Sequence, residues 1–297
     1  MKRTIAISAL LAASLLSAGE MRYASGTFEL EGGFLGLGSK KDTDISAYSL
    51  VQQHKNLFSS RWYYSYNVTW YDSDRLLQAQ QTLDTGTTQL LPDNPFGSTT
   101  STVAIPAMSY RYQGLDAQGV IGYDLLHTSE RDFFGAGLLL GISAPWIDSE
   151  KDSDNTTNDT DVIADAFEKS KTKILTYRIG PSFTFRKSLG EYFSLYGSAT
   201  IAYQTGTIEN DYAGTDISVN GRFDELDMGI RFQPLSYDKS FGWFTLSPRL
   251  YATLGYRYTH WEYKDVAIDT SGAGITFAKN DMKMSASTAY FGVGYAF

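Results

Sequence analysis

Apolar and polar side chains alternate residue by residue through long stretches of this chain. In residues 61–71 one face carries only large apolar or aromatic side chains, namely Trp62, Tyr64, Tyr66, Val68 and Trp70. Because successive side chains of a β-strand project to opposite faces, this pattern predicts a strand with one apolar face. A tryptophan at each end of that face is typical of a strand that crosses a bilayer between two aromatic girdles.

The same alternation predicts nine further strands, which polar segments separate. They lie near residues 27–37, 44–53, 103–126, 134–146, 175–185, 193–203, 219–233, 244–263 and 287–297. Within 103–126 the apolar side chains change parity between Tyr112 and Ile121. Either a β-bulge within 113–119 shifts the register of one long strand, or this segment is a tight turn between two strands.

The last predicted strand has an apolar face that ends on the final aromatic residue of the sequence. Its outward positions include Phe291, Val293, Tyr295 and Phe297, which alternate with small or weakly polar residues. This segment resembles the closing strand of Gram-negative outer-membrane β-barrels. The resemblance implies an all-β fold, a single antiparallel up-and-down transmembrane barrel. It also implies that these four residues form the signal that the barrel-assembly machinery reads.

Barrel topology sets the number of strands. Bacterial single-chain barrels with both termini in the periplasm have an even number of strands, short periplasmic turns and longer outer loops. Treating 103–126 as one bulged strand gives ten strands, which we favour, and twelve is the alternative. The barrel domain then spans 20–297. Its extracellular loops are expected near residues 74–102, 148–170, 208–218 and 264–284.

Composition agrees with export and with a membrane barrel. Residues 1–19 combine Lys2 and Arg3, an apolar stretch and a small-residue exit, which predicts a cleaved secretory signal peptide. Aromatic residues make up 14% of the chain, although its mean hydropathy is only −0.25. The formal net charge is −8 and there is no cysteine, so neither nucleic acid binding nor disulfide chemistry is expected. The predicted location is the bacterial outer membrane, reached through the periplasm.

Charged residues at inward-facing positions are the candidates for a function inside the barrel. The expected lumen residues are Glu29, Glu31, Asp124, Glu225 and Asp227, with Arg61, Arg178, Arg231, Arg249 and Arg257. A ten-stranded barrel has little room beyond its own side chains, and buried opposite charges tend to pair. One interpretation is therefore a salt-bridged plug in a structural protein. The other is a narrow pore whose arginines select small anionic or zwitterionic solutes.

Enzyme and metal chemistry have weak support in the sequence. His260 is the histidine best placed near the outer rim, but it lies in no pairing that resembles the omptin proteases or the lipid A deacylases. We therefore expect no enzyme, with a rim enzyme centred on His260 as the alternative. Histidine and cysteine form no cluster with metal-ligand spacing, and no cofactor is expected.

The expected partners follow from the predicted location. They are outer-membrane lipid and lipopolysaccharide, the assembly machinery during biogenesis and small solutes if a pore exists. An adhesin or receptor that acts through residues 74–102 and 148–170 is a further alternative, because binding functions often lie on long loops.

Overall fold

Ten long antiparallel strands make up most of the computed structural model. The structure describes residues 19–32, 41–55, 60–84, 102–105, 107–126, 132–152, 168, 171–210, 215–235, 237–240, 245–266, 269–270, 275–276 and 280–295. The long strands are β1 (Glu20–Gly32), β2 (Lys41–His54), β3 (Trp62–Ser73), β4 (Met108–Asp124), β5 (Phe133–Lys151), β6 (Lys171–Ser188), β7 (Phe193–Asn210), β8 (Thr215–Phe232), β9 (Leu250–Val266) and β10 (Asn280–Tyr295).

The ten strands close into an up-and-down barrel. Each strand pairs with its neighbours in sequence, and β10 pairs with β1 to complete the ring. The stagger of the strands is found by stepping from Trp62 to its partner on the next strand, and so on once around the barrel. This path returns to residue 74, at the end of β3, so the stagger is twelve residues. This stagger tilts the strands, as closure of a barrel requires. The expected fold class and the favoured number of ten strands are confirmed.

The barrel has two different ends. At the terminal rim, β1 begins at Glu20 and β10 ends at Tyr295. Three of the four connections at this rim are short, namely 55–61, 125–132 and 189–192, whereas 233–249 between β8 and β9 is longer. The turn between β6 and β7 contains Gly190 with a positive φ of 121°. Glycine suits that backbone conformation because it has no Cβ. The opposite end is the loop rim, where the polar connections lie.

Alternation along each strand separates an outer face from the lumen. The outer face exposes a wide belt of large apolar side chains, such as Leu140, Ile201, Leu254 and Phe291. The lumen holds the buried residues, both polar and apolar. Closed pairing of all ten strands also satisfies the backbone of the strand interiors, which a span across lipid requires. No helix among the described residues is long and apolar enough to cross a membrane.

Two expectations about which side chains face outward were wrong. In β1, Phe28 and Leu30 are buried inside the barrel, so Glu29 and Glu31 lie on the outer face. In β4, the pairing runs from Met108 to Asp124 without a register shift, so the expected bulge is absent although the single strand is confirmed. Both errors have one cause. The loop-rim half of the lumen is itself apolar, and hydropathy therefore cannot tell its side chains from membrane-facing ones.

Several expected segments fall outside the described residues. They include residues 1–18 of the predicted signal peptide, Phe297, and most of the predicted loops 74–102 and 148–170. Within the first loop, residues Leu76–Gln78 add a short strand to β4, and Gln81–Asp84 pairs with Thr102–Ile105. The strands β7 and β8 extend into the predicted loop 208–218 and pair as far as Asn210 and Thr215.

Candidate functional site

Near the terminal rim, the lumen contains an ion-pair network centred on Arg22. Its Nε donates to Glu20 Oε1 at 2.6 Å, and its Nη1 donates to Asp227 Oδ2 at 2.5 Å. Thr253 also donates to Glu20 at 2.6 Å, and the Tyr290 hydroxyl donates to Asp227. The four neighbouring strands β8, β9, β10 and β1 are thereby joined, and the two carboxylates share one guanidinium, which leaves this network with one net negative charge.

A second ion pair lies deeper, towards the middle of the barrel. Arg257 donates through Nη2 and Nε to Glu225 Oε2 at 2.6 and 3.1 Å, and through Nη1 to Thr69 Oγ1 at 2.9 Å. The other oxygen of Glu225 accepts a hydrogen bond from Gln118 Nε2 at 2.7 Å. Only 6% of either charged side chain is exposed, so this pair is largely removed from bulk water.

A third pair joins β6 to β4. Arg178 Nη2 donates to Asp116, and the Arg178 side chain has no exposed surface. Its guanidinium carbon lies 3.8 Å from the ring centroid of Phe223. The Nε and Nη1 atoms of Arg178 are buried without a hydrogen-bond partner among the described residues. This pair is therefore less completely satisfied than the Arg257 pair.

Aromatic side chains fill the lumen between the third ion pair and the loop rim. Trp261 is fully buried, and its ring centroid lies 5.8 Å from that of Tyr71 in an edge-on contact and 6.1 Å from that of Phe223. Tyr112 contacts the same indole and stacks on Phe28 at 4.4 Å. We name Phe28, Tyr71, Tyr112, Phe223 and Trp261 the aromatic cluster. Together with the buried methionines and isoleucines around it, the cluster occupies the cross-section of the barrel.

The predicted lumen residues fall into two groups. The structure places Arg178, Glu225, Asp227 and Arg257 in the paired networks, and it also places Asp124 and Arg231 on inward-facing positions of their strands. A role for any of them in lining a pore stays a prediction.

The other predicted lumen residues lie outside the lumen. Glu29 and Glu31 face outward, where Ser285 donates to Glu29 at 3.1 Å. Arg61 and Arg249 precede β3 and β9 at the terminal rim and are exposed. The predicted strand 61–71 begins one residue before β3, and the predicted strand 244–263 begins six residues before β9, so both arginines lie ahead of the strands that were expected to carry them.

Sequence reasoning missed Glu20, Arg22, Asp116 and Gln118. The first two directly follow the predicted signal peptide, and the other two lie in the segment where a bulge was expected. An unbroken count of alternate residues from Tyr123 back to Leu115 would have placed Asp116 and Gln118 inside.

His260 occupies the outer face of β9 rather than the lumen. Its cross-strand neighbours are Asp224 on β8 and Ser285 on β10. Asp224 accepts a hydrogen bond from Arg222 at 2.8 Å, and Ser285 donates to Glu29. Among the described residues, no hydrogen bond joins His260 to either side chain as a proton relay would require. His260 Nδ1 is buried without a hydrogen-bond partner among the described residues. No group of three metal-ligating side chains occurs in the described part of the chain.

The closing strand places Phe291, Val293 and Tyr295 on the exposed outer face. Their recognition by an assembly machinery stays a prediction that follows from the resemblance of the sequence.

No protein-family model and no curated protein matches the chain. Solved structures that are similar to it come from bacterial outer-membrane proteins. The outer membrane protease OmpT from Escherichia coli is 10% identical, with a TM-score of 0.39, and the alignment covers 94% of this chain and 97% of that one. The transport unit of the autotransporter AIDA-I from Escherichia coli is 10% identical, with a TM-score of 0.41 and coverage of 98% and 97%.

The translocator domain of the autotransporter NalP from Neisseria meningitidis is also 10% identical, with a TM-score of 0.36 and coverage of 100% and 96%. Likenesses of this size carry no argument about activity. The barrel architecture rests on the strand pairing described above.

Proposed function

We propose that this chain is an integral outer-membrane β-barrel with a closed lumen, which serves as a structural protein that displays its loop-rim connections at the cell surface. The observation that carries the proposal is the packed lumen, in which buried ion pairs and the aromatic cluster succeed one another along the barrel axis.

The outer surface supports the membrane part of this proposal. Soluble monomers rarely expose apolar patches larger than a few hundred Å². Here large apolar side chains face outward on strand after strand, and Trp62, Phe134, Phe193, Phe232 and Tyr295 mark the terminal rim. Aromatic residues at that height are expected at a membrane interface. With an even number of strands and three short connections out of four at this rim, the proposed orientation places the terminal rim in the periplasm.

The partners proposed for the barrel follow from the same surface. Outer-membrane lipid would contact the apolar belt, and lipopolysaccharide would meet the polar outward residues near the loop rim, such as Glu29, Glu31 and Arg222. Export through the periplasm and insertion by the barrel-assembly machinery complete the proposal.

The lumen supports a closed barrel over a pore. A pore needs a continuous path for water. At the level of the aromatic cluster, the side chains of Trp261, Tyr263 and Phe223 have no exposed surface and so border no such path. Closer to the terminal rim, the guanidinium of Arg257 joins Glu225 of β8 to Thr69 of β3 across the lumen.

Planar-bilayer recording of the refolded, full-length barrel tests the proposal. The wild type should give no stepwise conductance. Protease protection is the separate control that shows that the protein has inserted into the bilayer. Stepwise currents whose ion preference changes in Arg257→Glu, but not in the rim control Arg249→Glu, would overturn the closed barrel in favour of the anion-selecting pore.

A further inference from the structure

A polar cavity of about 100 Å³ lies in the terminal-rim half of the lumen. Arg186, Arg231 and Tyr251 line it near the rim, and Gln118 and Glu225 line its inner end. The two arginines are partly exposed, whereas Gln118 and Glu225 are buried. The cavity therefore faces the terminal rim and ends beneath the Arg257 ion pair. Its volume is that of about three water molecules.

The carboxylates that line the cavity already hold other partners. Glu20 and Asp227 bind Arg22, and they also accept hydrogen bonds from Thr253 and Tyr290. Glu225 accepts hydrogen bonds from Arg257 and Gln118. Arg22 and Arg257 face these three carboxylates, so with Arg186 and Arg231 the cavity and its inner end hold four guanidinium groups against three carboxylates, a net charge of +1.

Arg231 is the cation that these networks leave out. Its guanidinium carbon stacks 3.8 Å above the ring centroid of Tyr251. Its Nε is buried without a hydrogen-bond partner, and no carboxylate of the described residues lies within ion-pair distance of it. Tyr251 thus fixes the plane of the guanidinium, since stacking on an aromatic face orients an arginine.

Arg186 places a second guanidinium at the same mouth. It lies close enough to Arg231 for direct electrostatic interaction, and it also interacts with Asp132 and Tyr251. Two guanidinium groups at one partly dehydrated opening repel each other, and an anion between them would relieve that repulsion.

We propose that the terminal-rim cavity binds a small oxyanion, such as inorganic phosphate, between Arg186 and Arg231. Guanidinium groups match oxyanions because their N–H donors form a planar fork that binds two oxygens at once. Ser182 lines the same cavity; its hydroxyl accepts a hydrogen bond from Thr200 at 2.9 Å and can itself donate a further one. Because the cavity ends beneath the Arg257 pair, it holds the anion without conducting it.

Isothermal titration of the refolded full-length protein with inorganic phosphate, at constant ionic strength, tests this site. The wild type should bind phosphate with one-site behaviour. Arg231→Met and Arg186→Met should each weaken binding by about tenfold or more, the loss expected when a charge-assisted contact is removed. Arg249→Met is the matched control, because it removes an equal charge from the same rim without touching the cavity, and it should leave the affinity within about twofold.

Three results would overturn the proposal. They are no binding by the wild type up to 50 mM phosphate, undiminished binding by Arg231→Met, and an equal loss in Arg249→Met. The mobility of unheated samples in gel electrophoresis establishes that each variant is folded. Arg61→Met, which removes an exposed charge at the same rim, provides a second charge control if Arg249→Met fails to fold. Conductance does not enter these measurements, so the site and the closed barrel are tested separately.

Discussion

Removing the guanidinium of Arg257 should be among the most destabilising changes in the lumen. In Arg257→Met, Glu225 loses two hydrogen bonds of 2.6 and 3.1 Å, and Thr69 loses one of 2.9 Å. Among the described residues, Gln118 is then the one side chain left that donates to a carboxylate that is 6% exposed. An uncompensated buried charge costs about 3–5 kcal/mol. We therefore expect the free energy of unfolding to fall by about that amount.

Urea unfolding in lipid vesicles, followed by tryptophan fluorescence, measures this change. Arg222→Met is the matched control, because Arg222 pairs with Asp224 at 2.8 Å on the outer face and its side chain is 56% exposed. An exposed pair contributes only about 0–1 kcal/mol. The double variant Arg257→Met/Glu225→Met should be more stable than Arg257→Met alone, since it removes the stranded charge.

This reasoning would be refuted by a loss in Arg257→Met no larger than that in Arg222→Met. It would equally be refuted if the loss of unfolding free energy in the double variant equalled the sum of the losses in Arg257→Met and Glu225→Met, because the two residues would then act independently.

Three further predictions concern the aromatic cluster, the parity of β1 and the terminal rim. Trp261→Ala should lower the free energy of unfolding by about 3–5 kcal/mol in the same urea assay, because it leaves a cavity in a fully buried site; a loss below 1 kcal/mol would contradict the packing. Phe28→Asp should prevent folding and Glu29→Ala should be tolerated, as measured by the gel mobility of unheated samples. If instead Phe28→Asp folded and Glu29→Ala did not, the other face of β1 would point into the lumen. The pKa of Asp132 lies below its ordinary 3.8 because Lys187 and the Ser188 N–H donate hydrogen bonds to its carboxylate. The contribution of Asp132 to stability is therefore present above pH 3.8 and disappears as the pH falls through the lowered pKa. An NMR titration in which Lys187→Met leaves that pKa unchanged would refute this cause.

The strands could be predicted from the sequence wherever the lumen side is polar. In β6 and β8, Arg178, Glu225 and Asp227 alternate with apolar outward residues, so period-two reasoning identifies both faces. In β1 and in the first half of β4, the lumen side is apolar as well, and Phe28 or Tyr112 has the same hydropathy as a membrane-facing side chain. Only the pairing with neighbouring strands decides their direction.

The ion pairs could be predicted as a class but not as partners. Opposite charges inside a narrow barrel must pair, and that argument needs no coordinates. Which arginine meets which carboxylate depends on the twelve-residue stagger of the strands, because the stagger sets the height of each side chain. Arg22 and Arg257 therefore join distant parts of the sequence, 205 residues apart in the case of Arg22 and Asp227.

The Arg178–Asp116 pair is expected to behave differently from the Arg257 pair. Arg178 has no exposed surface, and two of its guanidinium nitrogens have no hydrogen-bond partner among the described residues. The desolvation of such an incompletely bonded charge can exceed its attraction to the partner. Replacing both residues, in Arg178→Met/Asp116→Leu, should therefore leave the free energy of unfolding within about 1 kcal/mol of the wild type or raise it.

Replacing Arg257 and Glu225 together should be less favourable, because the hydrogen bonds that the pair makes with Thr69 and Gln118 would be lost. Thr69 would keep its hydrogen bonds to Ser49 and Asn67, but Gln118, whose Nε2 donates to Glu225, would lose that partner in a buried site. Urea midpoints of the two double variants compare the cases directly. If the Arg178 double variant were the less stable of the two, incomplete hydrogen bonding would not be what limits the stability of this lumen.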